Sequence, residues 1–193
     1  LLLPSIDCDE KQLRVINFSE EGLIECVVEV PQDVNVSIKH PHYSKNGMIY
    51  FIADYEDWWT LYRIENPSEK QKKTQKVLDK KIEINSYSIE NDDYAIIAYS
   101  EQGSVHIARV NLVTGEMINI GDVFSSADSI SVASDTVYFR ASTPSSGNAI
   151  YKLTDNNYEK IYQPNGPEIE KSFLSLPQSV KFPTEIDEIA YGF

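Results

Sequence analysis

Strand-like segments recur along this chain at a spacing of roughly 45 residues, the length of one four-stranded blade of a β-propeller. Four stretches align: Leu13-Arg14-Val15-Ile16, Thr60-Leu61-Tyr62-Arg63-Ile64, Val105-His106-Ile107-Ala108-Arg109-Val110 and Ala149-Ile150-Tyr151-Lys152-Leu153. Short-window periodicity scoring misses a period this long, and it constrains the fold more than any local pattern. The order of elements repeats too, with an apolar strand before each aligned stretch and a polar turn and further strand after it. Met48 to Ala53 precedes the turn at Tyr55-Glu56-Asp57, and Tyr94 to Tyr99 precedes Glu101-Gln102-Gly103. Thr136 to Ala141 precedes a loop read as Thr143-Pro144-Ser145-Ser146-Gly147-Asn148. Gly, Asn, Asp and Ser dominate these turns because they supply positive φ or hydrogen-bond their own backbone.

Continuous apolar runs such as Ile49-Tyr50-Phe51-Ile52-Ala53 and Ala95-Ile96-Ile97-Ala98-Tyr99 suit strands buried on both faces. Helical periodicity is scarce. The stretch from Glu69 to Asp79 carries almost no apolar stripe and reads as a solvated turn and outer strand. The first repeat offers only an outer pair, Gln12 to Phe18 and Leu23 to Val30. The expectation is therefore an all-β chain, a partial β-propeller of about three four-stranded antiparallel blades plus part of another. Its blades are placed at 1-33 (partial), 34-80, 81-121 and 122-163, with a connector at 164-193. Open blade edges in such a fragment invite self-association.

The chain has 193 residues, enough for one domain with an ordinary core. Hydrophobic residues at 41% and charged residues at 24% exclude a disordered tail, and an excess of Tyr, 12 in all, suits half-buried sheet faces. Against 30 Asp and Glu stand 17 Lys and Arg, and the net charge of -13 repels phosphate backbones and anionic lipid, so neither nucleic acid nor a membrane is an expected partner. No apolar run reaches the roughly 20 residues of a bilayer span, and Leu1 to Leu3 meet Pro4 at once. Cys8 and Cys26 are too few for a disulfide framework, read as reduced, and go with a cytoplasmic location. With no initiator Met, the first residue reads as a boundary inside a longer protein.

Few residues carry the signature of chemistry. His40 and His42 would share a face on a strand and could chelate a metal, but no third ligand stands at a supporting spacing. Trp58 and Trp59 point opposite ways on a strand, so at most one faces any given groove, and blade packing is the expected use. Asp92-Asp93 and Glu20-Glu21 lie in turn-like sequence where solvated acids belong. No phosphate loop or calcium loop is present, and no cofactor or metal is expected.

Met48 to Arg63, with its Ala53-Asp54 and Trp58-Trp59-Thr60-Leu61-Tyr62-Arg63, resembles a blade of acylaminoacyl-peptidase-like and dipeptidyl-aminopeptidase-like members of the prolyl oligopeptidase family. There an apolar strand ends in Ser-Asp and Trp-Trp-Asn-Leu-Tyr-Arg opens the next; here Ala53 replaces the Ser and Thr60 the Asn. Pro41 to Gly47 is similar to the family's Pro-Glu-Trp-Ser-Pro-Asp-Gly blade entry, and Ala98 to Gly103 with Val110 to Glu116 fits the following blade. Leu174 to Thr184, then Ala190-Tyr191-Gly192-Phe193, resembles the connector that leaves the propeller for the catalytic domain. The resemblance implies an α/β-hydrolase domain of the same parent chain and short peptides as partners. A hydrolase of that family needs a Ser on a Gly-x-Ser-x-Gly elbow with Asp and His following. Ser100 and Ser104 lie near Gly103 and His106 but on strand and turn positions, so no catalytic residue is assigned.

Two functions follow. One is a noncatalytic propeller segment of a serine peptidase that admits and positions short peptides for a separate hydrolase domain. The other is a stand-alone propeller that binds proteins or peptides. The stretch from Leu174 to Phe193, which reads as an exit rather than a ring closure, favours the first.

Overall fold

The repeat is realised as antiparallel meanders. The computed structural model describes residues 2–7, 12–17, 23–29, 36–65, 67, 73–134, 136–166, 170–184 and 188–192, with backbone alone for those up to 29 and for 122, 123 and 171. The first sheet holds β1 (Leu2–Asp7), β2 (Gln12–Asn17) and β3 (Leu23–Glu29). The second holds β4 (Ile38–Tyr43), β5 (Ile49–Ala53), β6 (Thr60–Ile64) and β7 (Thr74–Lys76). In the third are β8 (Glu83–Ile89), β9 (Tyr94–Glu101), β10 (Ser104–Asn111) and β11 (Met117–Phe124); in the fourth, β12 (Ser126–Ala133), β13 (Thr136–Thr143), β14 (Ser146–Thr154) and β15 (Asn157–Tyr162). A 3-10 turn, Lys171–Phe173, and a hairpin of β16 (Val180–Pro183) and β17 (Ile189–Gly192) follow. Within each sheet, strands neighbour one another in chain order, and the class is all-β as expected.

Two expectations are corrected. The first repeat is not an outer pair alone, because Leu2–Asp7 adds β1 with Pro4 opposite Val15. Proline lacks a donor, but β1 ends its sheet, where half of the backbone groups face away from any partner. The loop read from Thr143 to Asn148 shrinks to Pro144 and Ser145, with Thr143 paired to Ser146 and their hydroxyls 2.7 Å apart. Turn-type residues entered a strand there because the backbone ladder, unlike the composition, continues to the hairpin tip. Of the stretch from Glu69 to Asp79, Thr74 to Lys76 form an outer strand, while 69–72 lie outside the described residues.

The apolar runs do what double burial requires. All of β5 is buried, as are Ala95 to Tyr99 in β9, and each strand is flanked by others on both sides. Between β9 and β10, Gln102 and Gly103 have φ of 52° and 82°, the paired left-handed geometry of a tight hairpin turn.

A second device recurs. In β4 the register passes from Lys39 opposite Ile52 to His42 opposite Tyr50, so His40 and Pro41 both face Phe51. In β12 it passes from Asp128 opposite Arg140 to Ser131 opposite Tyr138, so Ser129 and Ile130 face Phe139. His40 and Ser129 both sit at φ 52°. The first strands of the second and fourth sheets thus carry the same bulge at the same place, a device that bends a strand and re-aims its side chains.

The chain forms two compact units, one of Leu1–Ile84, Asn91–Ala95 and Asn111–Glu116, the other of Asn85–Glu90, Ile96–Val110 and Met117–Phe193. In the first unit Val36, Ile49, Phe51, Ala53, Tyr62 and Ile64 make a core, and Arg63 reaches from β6 to the β10–β11 turn, its Nη1 donating to the Leu112 carbonyl at 2.6 Å. Gly115 of that turn, at φ 73°, lies so close to β7's end that an added Cβ would stand 2.6 Å from the Val77 carbonyl oxygen. In the second unit Ile96, Ala98 and Ile107 of one sheet pack with Phe139, Tyr151 and Leu153 of the next. Phe139 and Tyr151 stack at 5.3 Å, and Phe124 meets both rings edge-on. Arg109 of β10 holds Glu90 through two 2.8 Å bonds and donates to Asn156 Oδ1 in the β14–β15 turn at 2.6 Å. Arg63 and Arg109 are the aligned basic residues of the repeat, and each clasps the turn after the third strand of the following sheet.

Replacing Arg109 with Ala strands the mostly buried Glu90 carboxylate. The expected loss of unfolding free energy is about 3 kcal/mol, read as a lower midpoint in urea denaturation. Gly115→Ala is expected to lower the midpoint as well, by about 1–3 kcal/mol for the strained φ and the backbone clash.

Candidate functional site

The residues singled out in the sequence are scattered. Ser100 is the penultimate residue of β9 and its hydroxyl accepts from Asn85 Nδ2 at 2.9 Å; Ser104 opens β10 across the Gln102-Gly103 turn. This is a strand-to-strand hairpin, whereas a nucleophile elbow is a strained strand-to-helix turn. His106 lies on β10, stacked on Tyr99 at 5.1 Å, its Nδ1 buried. Asp92 is exposed in the turn where Asn91 Oδ1 accepts from the backbone of Asp93 and Tyr94, and the Asp93 carbonyl accepts from Leu112. Glu20, Glu21 and Cys8 lie outside the described residues, as does the side chain of Cys26.

The bulge sets His40 and His42 in a local geometry different from the plain alternation expected of a strand, because the residue at φ 52° interrupts the pleat. Burial pushes both imidazoles below their ordinary pKa, and the Lys39 charge adds to this at His40. Among the described residues no group of three metal-ligating side chains comes together.

What does come together is an aromatic and cationic cluster at the β5–β6 end of the second sheet. Asp54 closes that end, its Oδ1 accepting from Ser37 N at 2.6 Å. Trp59 uses its backbone carbonyl to accept from Ile84 N at 2.7 Å, which ties the turn to β8. On its ring lies the Lys39 ammonium, 3.9 Å from the centroid. Burial lowers the Lys39 pKa, against the opposing pull of the Glu83 and Asp54 charges. Trp58, 41% exposed, and Tyr55, 37% exposed, belong to the same turn, and Tyr55 lies on the opposite face of the sheet from Lys39. Tyr55 meets Tyr62 edge-on at 5.0 Å, and Tyr62 stacks on Phe51 at 5.9 Å. Flat apolar faces and a partly desolvated ammonium are the chemistry that this end of the sheet presents. Sequence reading singled out the two tryptophans but not Lys39, which faces Trp59 from 20 positions upstream.

Neither the scan against family models nor the search of curated proteins finds a match. Solved structures do match. A puromycin hydrolase complexed with PGG is 12% identical, with a TM-score of 0.78 over 98% of this chain and 31% of its own. A puromycin-hydrolyzing peptidase from Mycobacterium tuberculosis is 14% identical, with a TM-score of 0.74 over 93% of this chain and 28% of its own. Prolyl oligopeptidase B from Galerina marginata, bound to a 25mer macrocyclization substrate, is 12% identical, with a TM-score of 0.71 over 98% and 28%. The fold is that of a prolyl-oligopeptidase-type propeller. This partial propeller spans under a third of the length of those solved structures. The likeness runs over nearly the whole chain.

Inside the propeller blade, the Tyr62 hydroxyl is buried without a partner, and burial, with the nearby Glu56 and Asp54 charges, pushes its pKa up to about 12. The folded chain then keeps a proton that the unfolded chain, with an ordinary phenol, releases near pH 10. Tyr62's contribution is present below pH 10 and is lost as pH rises from there toward 12. Tyr62→Phe is expected to leave stability at pH 7 unchanged or raise it by about 1 kcal/mol. Its alkaline loss of stability should also be shallower than wild type, as urea midpoints across pH would show.

Proposed function

We propose that this chain is a noncatalytic propeller segment of a serine-type oligopeptidase or aminopeptidase, and that it admits and positions short peptides for a separate α/β-hydrolase domain. The observation that carries the reading is a fold shared with puromycin hydrolase and prolyl oligopeptidases over 98% of this chain, although it spans 31% of the first of them. The sequence resemblance of Met48 to Arg63 and of Leu174 to Phe193 points the same way.

The part played here is exclusion. A propeller set over a hydrolase pocket turns away folded proteins and lets short peptides through, while the rate comes from the triad elsewhere. The Lys39–Trp59 stack and the exposed Trp58 of the same turn are what the blade offers to a peptide, the aromatic faces taking side chains and the ammonium a carboxylate. The stretch after the last blade supports an adjoining domain. Phe173 is 78% exposed and Leu176 66%, with Phe182 and Ile189 also open to solvent, apolar surface that suits the cover of a packed neighbour. A cytoplasmic setting belongs to the same reading, in keeping with only two cysteines. Self-association of the isolated chain belongs to it too, since sheets stacked on one side only leave a face open.

The isolated chain is expected to hydrolyse no aminoacyl or peptidyl nitroanilide. Turnover abolished by a serine-directed inhibitor would sink the noncatalytic assignment. The parent polypeptide is expected to carry a Gly-x-Ser-x-Gly elbow beyond Phe193, followed by Asp and His, and to be labelled by a fluorophosphonate; a stop codon soon after Phe193 would overturn the peptidase reading. Trp58→Ala in the active parent is expected to raise KM for short peptides several-fold with little change in kcat.

A further inference from the structure

We propose that Asn165–Gly166, in the stretch after β15, is a site of spontaneous covalent modification, where the asparagine converts to aspartate and isoaspartate through a cyclic imide while the chain is folded. Asparagine is followed by glycine twice in the sequence, at Asn46-Gly47 and at Asn165-Gly166. Glycine matters in that place because it has no Cβ to keep its own amide nitrogen away from the preceding side chain. Both pairs are chemically competent, and the fold treats them differently.

The step needs water alone. The Gly166 amide nitrogen gives up its proton to hydroxide and attacks Asn165 Cγ. The new N–C bond closes the imide as the Cγ–Nδ2 bond breaks, and ammonia leaves with a proton from water. Water then opens the ring at one carbonyl or the other, leaving an aspartate, or an isoaspartate whose former side-chain carbonyl carries the backbone. Each event adds a negative charge to a chain already at -13, and the iso form lengthens the backbone by a methylene.

At Asn46-Gly47 the β4–β5 turn holds both reacting groups. Asn46 Oδ1 accepts from the Ser44 hydroxyl and from Met48 N, which fixes the side chain. Gly47 N donates to the Ser44 carbonyl at 3.1 Å, which ties up the nucleophile. Ser44 N donates in turn to the Met48 carbonyl at 2.9 Å, and Ser44 is buried, so freeing the pair means opening the hairpin. Asn165 and Gly166 lie beyond the end of β15 and are both exposed. Among the described residues neither makes a hydrogen bond, so no turn has to open before the nitrogen reaches Cγ. The other described asparagines precede larger residues, and Asn85, Asn91, Asn111 and Asn156 have their side-chain amides engaged. This inference rests on local geometry and stands apart from the peptidase reading.

Peptide mapping by mass spectrometry tests it, on the 193-residue chain held for days in mildly alkaline buffer at physiological temperature. The expected result is a gain of about 1 Da on the peptide holding Asn165, divided between aspartate and isoaspartate forms, with the peptide holding Asn46 slower by about tenfold or more. In guanidinium chloride, where the turn is gone, the two asparagines should convert at comparable rates. Gly166→Ala should slow conversion at Asn165 several-fold and leave the circular dichroism spectrum as it is, since among the described residues nothing stands within 4 Å of the added methyl. A folded chain in which Asn165 stays intact overturns the proposal. Equal conversion of both asparagines in the folded chain overturns the shielding assigned to the β4–β5 turn. A difference that persists undiminished in guanidinium chloride overturns its structural origin.

Discussion

The clasp made by a basic side chain on the third strand of a sheet gives the stacked arrangement its register. Apolar faces such as that of Phe139, Tyr151 and Leu153 supply most of the free energy of stacking, but apolar contact has no direction and would tolerate sliding of one sheet over another. Arg109 removes that freedom by tying a fixed strand position to a fixed turn, Asn156, with a charge-assisted bond of 2.6 Å. A guanidinium suits the task, because its fork can hold Glu90 with two donors and still offer a third to the neighbour. Arg63 repeats the pattern with Gln75 and Glu65 on its own side and the Leu112 carbonyl on the other. What is repeated is a geometry, not an acceptor type.

The paired bulges show the same separation of geometry from chemistry. His40 and Ser129 share a left-handed φ and oppose Phe51 and Phe139 in the same register. Around this common frame the side chains diverge, with Lys39 against Asp128 and Ile52 against Arg140. A backbone device that costs strain in both sheets, yet holds different side chains in each, fits a scaffold whose first strands are free to vary in what they present. In the second sheet that variation yields a cation on Trp59; in the fourth it yields an ion pair on an open face.

Much of this was legible in the sequence for a definite reason. A strand buried on both faces must be apolar without alternation, and Ile49 to Ala53 says so in every residue. The aligned stretches located the third strands, including Arg63, Arg109 and Lys152, though a basic residue in a strand reads only as strand content until its acceptor is known. That acceptor was hidden where it was the Leu112 backbone carbonyl, which every residue possesses. β1 was hidden by Pro4, since a proline argues against a strand unless the strand is known to be an edge. The hairpin at Pro144-Ser145 was hidden because Ser, Gly and Asn look like a loop when the ladder cannot be seen. The Lys39–Trp59 stack depends on a bulge whose register no local pattern encodes.

The strained backbone and the perturbed titrating groups are spread out among the described residues. A catalytic centre concentrates strained backbone, perturbed titrating groups and a reactive atom at one point. Here the left-handed residues sit in bulges and hairpin turns spread over three sheets, and the raised phenol of Tyr62 and lowered imidazoles of His40 and His42 follow first from burial, with the Glu56 and Asp54 charges adding at Tyr62 and the Lys39 charge at His40. Ser100 is held by Asn85, an amide that can orient a hydroxyl but cannot take its proton. Among the described residues these features stay apart, each explained by the packing of its own sheet.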